Sequence, residues 1–125
     1  MTGKVVHFEV PVDDVERART FYTDAFGWQL DDMPGFDYIW VRTTRTDDRG
    51  MPAEPGSING GMTRREAPVT QPMITVEVED IDTALAKVVA LGGAVLQERQ
   101  PVGEMGFTAY VVDTEGNPLG LWQNA

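Results

Sequence analysis

The chain of 125 residues has no cysteine and a single histidine. Without thiols it can form neither a disulfide framework nor a thiolate metal site, so burial alone must hold it together. Basic residues are scarce as well: ten Lys plus Arg stand against twenty Asp plus Glu, for a net charge of −10. Such a surface repels phosphate backbones and anionic lipid, which argues against nucleic-acid and membrane-surface partners and leaves room for a cationic ligand. No uncharged run approaches the ~20 residues that a spanning helix requires. Glu9 interrupts the N-terminal strand before a signal-peptide core could form, so a cytoplasmic protein is expected. An apolar content of 42% at this length suits one self-supporting domain covering residues 1–125.

What is present is organised around the histidine. Lys4 to Val12 alternates as a strand, with Val6, Phe8, Val10 and Val12 on a face fit to lie under a helix. The opposite face carries His7 and Glu9, about 6.6 Å apart along the strand. Asp13 then reads as a helix cap, with Glu16 completing a capping box. Val15, Ala18, Tyr22 and Ala25 form an apolar stripe, and Gly27 supplies the left-handed residue that ends the helix. Strands are expected over Trp28–Asp32, Phe36–Thr43 and Ser57–Thr63, with a loop from Thr44 to Gly56.

The second half repeats the first. Asp14-Val15 and Ala18 correspond to Asp80-Ile81 and Ala84, and Gly27 to Gly93, at an offset of 66. Gly35-Phe36 matches Gly106-Phe107 at an offset of 71, and Gly56 to Gly60 matches Gly116 to Gly120 at an offset of 60. Asp80 caps a second amphipathic stripe, Ile81, Ala84, Leu85, Val88 and Leu91, which stops at Gly92-Gly93. The unit is strand, helix, strand, strand, strand, used twice, as module one (1–66) and module two (67–125).

These residues resemble the vicinal oxygen chelate superfamily, which includes glyoxalase I, bleomycin-resistance proteins, fosfomycin-resistance enzymes and extradiol dioxygenases. The resemblance rests on His7-Phe8-Glu9-Val10-Pro11-Val12-Asp13-Asp14, Phe21-Tyr22 with Phe26-Gly27-Trp28, Asn59-Gly60-Gly61-Met62, Val78-Glu79-Asp80-Ile81-Asp82, and Asp113-Thr114-Glu115-Gly116-Asn117 before Leu121-Trp122. It implies an α+β fold of two tandem βαβββ modules that form an open, cup-like mixed β-barrel with helices outside. It also implies a homodimer. In metal-using members, the first and fourth strands of each module donate His, Glu or Gln. Here His7 takes the first such place, while Met73, Gly60 and Gly120 take the other three. A thioether is a poor donor for Zn, Mg, Mn or Ca, and glycine offers no side chain, so neither a metal nor another cofactor is expected. Only an inward turn of Glu9 and Glu77 would rebuild a divalent-metal site.

The candidate catalytic residues are therefore His7 and Glu9, with the imidazole as acid or base. Tyr38, Trp40, Gly60, Met62, Met73, Thr75, Phe107, Gly120 and Trp122 are expected to line a cavity for a small-molecule ligand. Three functions remain open at this level. They are a metal-independent lyase or isomerase, a non-catalytic ligand-binding or drug-sequestering protein, and a metal-dependent lyase with a rearranged site.

Overall fold

The computed structural model describes residues 2–125. The chain divides into two compact units, His7–Pro72 and Met73–Ala125, and the segment ending at Val6 clusters with the second. No helix among the described residues is long and apolar enough to cross a membrane.

The first unit is built on β1 (Val5–Val12), α1 (Val15–Phe26), β2 (Gln29–Asp32), β3 (Ile39–Arg42) and β4 (Gly60–Arg64). Its strands lie in the order β2-β3-β4-β1, with β1 and β4 parallel and the remaining pairs antiparallel. The alternation read from β1 is realised. Phe8, Val10 and Val12 join Ile39, Val41, Met62 and Leu30 against Val15, Ala18 and Tyr22 of α1. Tyr22 stacks on Trp28 with centroids 4.9 Å apart and planes within 4°, and Trp28 reaches Phe8 at 5.7 Å. This aromatic chain joins helix to strand.

The cap of α1 is Asp14 rather than Asp13. Asp14 has extended dihedrals, and its carboxylate accepts the Arg17 N–H at 3.0 Å. Two adjacent aspartates suit the role equally by residue type. The tertiary partner decides between them, because Asp13 accepts from the Arg65 guanidinium at 3.0 Å. Gly27, at φ 72°, closes the helix and donates its N–H to the Thr23 carbonyl.

The second unit repeats the plan with β5 (Met73–Glu77), α2 (Ile81–Ala90), β6 (Ala94–Val102), β7 (Gly106–Val112) and β8 (Pro118–Asn124). The strand order is β5-β8-β7-β6, again with one parallel pair, β5 and β8. Ile81 and Leu85 of α2 pack with Ala109, Val111 and Leu121 into a closed core. Asp80 caps α2, accepting from Thr83 N–H at 2.9 Å and Thr83 Oγ1 at 2.6 Å. The architecture is thus mixed α+β, and the duplication of a βαβββ unit is as expected.

The ladders differ from the sequence match by one residue. Glu9 pairs with Gly61 and Thr75 with Gly120, while Trp40 lies beside Gly61 as Tyr110 lies beside Gly120. The equivalent of Gly120 is therefore Gly61, not Gly60, and the equivalent of Tyr110 is Trp40. The sequence match was anchored on turn glycines, which carry no information about strand parity. Because side chains alternate along a strand, a slip of one residue sends each of them to the opposite face.

Candidate functional site

On the face of the first unit turned away from α1, His7 Nε2 lies 2.8 Å from Tyr38 Oη, with the two rings within 15° of coplanar. Gly61 makes this contact geometrically feasible. A Cβ built at that position would fall within the Tyr38 phenol, so only glycine lets the tyrosine lie across β4 and reach β1. Trp40 stands edge-on to Tyr38 at 6.2 Å, and Glu9, 6% exposed, sits opposite Gly61 on the ladder. Further along the same row Asp31 is ion-paired with Arg42.

Burial pushes the His7 imidazole down to about 4. Desolvation penalises the cationic ring, so at neutral pH the imidazole is uncharged, with one ring nitrogen carrying hydrogen and the other free to accept. The 2.8 Å contact is then a neutral hydrogen bond, with either the phenol or the imidazole donating.

In the second unit the equivalent row is Thr75, Gly120 and Tyr110. A Cβ at Gly120 would meet Thr75 Oγ1 at 2.7 Å, and that buried hydroxyl has no hydrogen-bond partner among the described residues. One row along, Trp122 donates from Nε1 to Asn124 Oδ1 at 2.8 Å and covers Gly106. The Glu77 carboxylate accepts from Asn124 Nδ2 at 3.0 Å and pairs with Lys4 at 3.7 Å. Met73 is buried at the start of β5, on the Thr75 side by alternation.

Of the candidate residues, His7, Glu9, Tyr38 and Trp40 share one face of the first unit. Met73, Thr75, Gly120 and Trp122 share the corresponding face of the second. Three are placed differently from expectation. A side chain at Gly60 would meet Phe8, Met62 is fully buried in the cluster that packs α1, and Phe107 packs with the α2 cluster beneath the Arg99 guanidinium, 4.9 Å from its ring centroid. All three follow from the one-residue slip. The same slip hid Gly61 and Tyr110, for which the only signal would have been strand pairing.

The side chains do not fit a metal centre. Nε2 of His7 is engaged by Tyr38, the paired position on β4 is a glycine whose side-chain space the phenol fills, and Glu77 is turned to Lys4 and Asn124. Among the described residues no three His, Cys, Asp or Glu side chains converge. An open groove of about 550 Å³ beside the start of α1 touches Tyr38 and is bordered by five carboxylates. Each of the five is already engaged: Asp13 by Arg65, Asp14 by the Arg17 N–H, Glu16 and Asp32 by Arg19, and Asp37 by Arg64.

Comparison with known proteins agrees with this fold. A family model described as bleomycin resistance protein-like N-terminal matches residues 4–44. A protein of Mycobacterium bovis named as a glyoxylase, CFP32, is 30% identical over 120 residues, covering 92% of this chain and 43% of the relative. The chain thus spans under half the length of that relative. A lactoylglutathione lyase of Haemophilus influenzae is 26% identical, covering 97% of this chain and 93% of its own. Among solved structures, a glyoxalase/bleomycin resistance protein/dioxygenase superfamily member from Vibrio splendidus superposes with a TM-score of 0.63 at 15% identity, covering 99% of this chain and 100% of its own. The chain is thus similar in its N-terminal segment to bleomycin resistance proteins, in sequence to proteins named as glyoxylase and lactoylglutathione lyase, and in fold to a member of the glyoxalase/bleomycin resistance/dioxygenase superfamily.

Proposed function

We propose that this protein binds a small organic molecule on the strand face bearing His7, Tyr38 and Trp40, and that it orients the ligand by hydrogen bonding rather than by chelation. The observation that carries this reading is the 2.8 Å contact between His7 Nε2 and Tyr38 Oη across Gly61. The pair holds two polar hydrogens, one on nitrogen and one on oxygen, and spends one of them internally. The imidazole and phenol together present polar atoms suited to a neutral polar group of a ligand, while Trp40 offers an aromatic edge and face to its apolar part. An imidazole whose proton affinity is lowered to about 4 is a feeble base near neutrality, which favours recognition over proton abstraction.

A second reading is supported by the Haemophilus influenzae relative, named as a lactoylglutathione lyase. In it, His7 removes a proton from carbon next to a carbonyl, and the Tyr38 hydroxyl hydrogen-bonds the developing oxyanion. A thermal-shift screen of carbonyl metabolites and cationic antibiotics, with mass spectrometry of each stabilising compound, separates the two. Stabilisation without conversion, weakened about tenfold in affinity by Tyr38→Phe, is the expected result. Conversion lost in His7→Gln would put the second reading in place of the first. Stabilising compounds whose affinity ignores both substitutions would overturn both.

A further inference from the structure

On the face of the second unit turned away from α2, one carboxylate is poorly served by its own chain. The Glu77 side chain is only 16% exposed, yet among the described residues its sole hydrogen-bond donor is Asn124 Nδ2, 3.0 Å from Oε1. Oε2 faces Lys4 Nζ at 3.7 Å, beyond hydrogen-bond reach, on a side chain that is 69% exposed. That ion pair is not needed to fix the start of the chain, because the Lys4 carbonyl already accepts the Glu77 N–H at 2.8 Å. A largely buried carboxylate has room for about four hydrogen bonds and gains most from a close cationic donor. One amide and a distant, solvated ammonium leave it short.

Trp122 is set beside that carboxylate with its ring fixed at both ends. The two residues are direct partners on the β5–β8 ladder, so their side chains rise from the same face, while Val76 and Leu121 turn to the α2 core. A Cβ at Gly106 would stand 2.7 Å from Trp122 Cζ2 and 3.2 Å from Cε2, so the glycine lets the indole settle onto β7. Trp122 Nε1 donates to Asn124 Oδ1 at 2.8 Å, and the same amide donates to Glu77. Ring, amide and carboxylate form one ordered row that ends on an oxygen facing a loosely held cation. An anchored indole next to a carboxylate suits an organic ammonium, which the ring quadrupole and the charge attract together. Oε2 calls for an N–H donor, which selects a protonated amine over a quaternary ammonium. The net charge of −10 favours the approach of such a ligand. We infer that Trp122, Asn124 and Glu77 form a site for a small primary ammonium compound, and that Lys4 is the internal cation which the ligand displaces. The site lies within the second unit and is independent of the role given to His7 and Tyr38.

Isothermal titration calorimetry of the full chain near neutral pH tests this, with benzylammonium as the probe and benzyl alcohol as its uncharged counterpart. Benzylammonium binds with a Kd of about 1 mM, weakened several-fold as salt rises from about 50 mM to about 500 mM, and benzyl alcohol does not bind. Glu77→Gln weakens binding about tenfold and Trp122→Leu about fivefold. Lys4→Met, at an exposed position that spares the fold, acts in the opposite direction. It tightens binding about threefold, because the carboxylate has lost its competitor. Benzylammonium binding absent from both the wild type and Lys4→Met overturns the proposal. So does equal binding of the alcohol, an affinity indifferent to Glu77→Gln in a variant shown folded by circular dichroism, or an affinity that Lys4→Met leaves unchanged. Binding lost in His7→Gln but kept in Glu77→Gln would put the amine on the first unit and overturn it likewise.

Discussion

The two units use the same backbone plan and put glycine at the same structural position, yet they treat the vacated space differently. Above Gly61 the space is filled by Tyr38, the residue just before β3, whose hydroxyl goes on to meet His7. Above Gly120 it is bounded by the short Thr75 side chain, whose buried hydroxyl has no hydrogen-bond partner among the described residues. One repeat turned its missing side chain into a polar link; the other left a polar atom unsatisfied. The chemistry of a position in this fold is thus set by what a neighbouring strand lends it as much as by its own residue.

The comparison can be broken most forcefully at the glycines. Gly61→Ala must expel the Tyr38 phenol, forfeiting its packing and the His7 bond, and should cost about 3 kcal/mol in denaturant titration. Gly120→Ala has the Thr75 side chain as its nearest neighbour, with Oγ1 at 2.7 Å, and should cost about 1 kcal/mol. Equal costs would mean that the two spaces are filled alike.

Acid titration probes the first unit. His7 is lowered to about 4 in the folded chain from an ordinary 6.5, so as pH falls the unfolded chain takes up this proton first. Stability is therefore level above pH 6.5 and declines from there to about pH 4, by at most about 3 kcal/mol. His7→Gln should flatten that interval. Hydrogen bonds from Thr83 and from Asn117 hold the Asp80 and Asp113 carboxyls below their ordinary 3.8, and their contribution is lost only at still lower pH, so it leaves the His7 window clear.

The smallest expected effects differ in sign. Tyr38→Phe removes a made hydrogen bond and should destabilise the chain by about 1 kcal/mol, whereas Thr75→Val replaces an unsatisfied hydroxyl with a methyl and should stabilise it by about 1 kcal/mol. Thermal denaturation of the two variants side by side would expose a shared sign, and with it a Thr75 hydroxyl that does have a partner.

The sequence by itself determined the elements and their duplication. Alternation in β1, the stripes of α1 and α2, the Asp80 cap and the Gly27 terminus are local, governed by period and by backbone dihedrals that each residue type permits. It also determined which donor types a chelating site would lack, since Met73 and Gly120 are legible as letters. Only the tertiary structure decided register. Whether Gly60 or Gly61 faces the imidazole, whether Met62 and Phe107 look toward a ligand or a helix, and which of Asp13 and Asp14 caps α1 all depend on partners distant in the chain. The physical reason is parity: a β-strand presents its residues alternately, so faces are assigned by hydrogen bonds between strands, and those bonds join residues that no local pattern pairs.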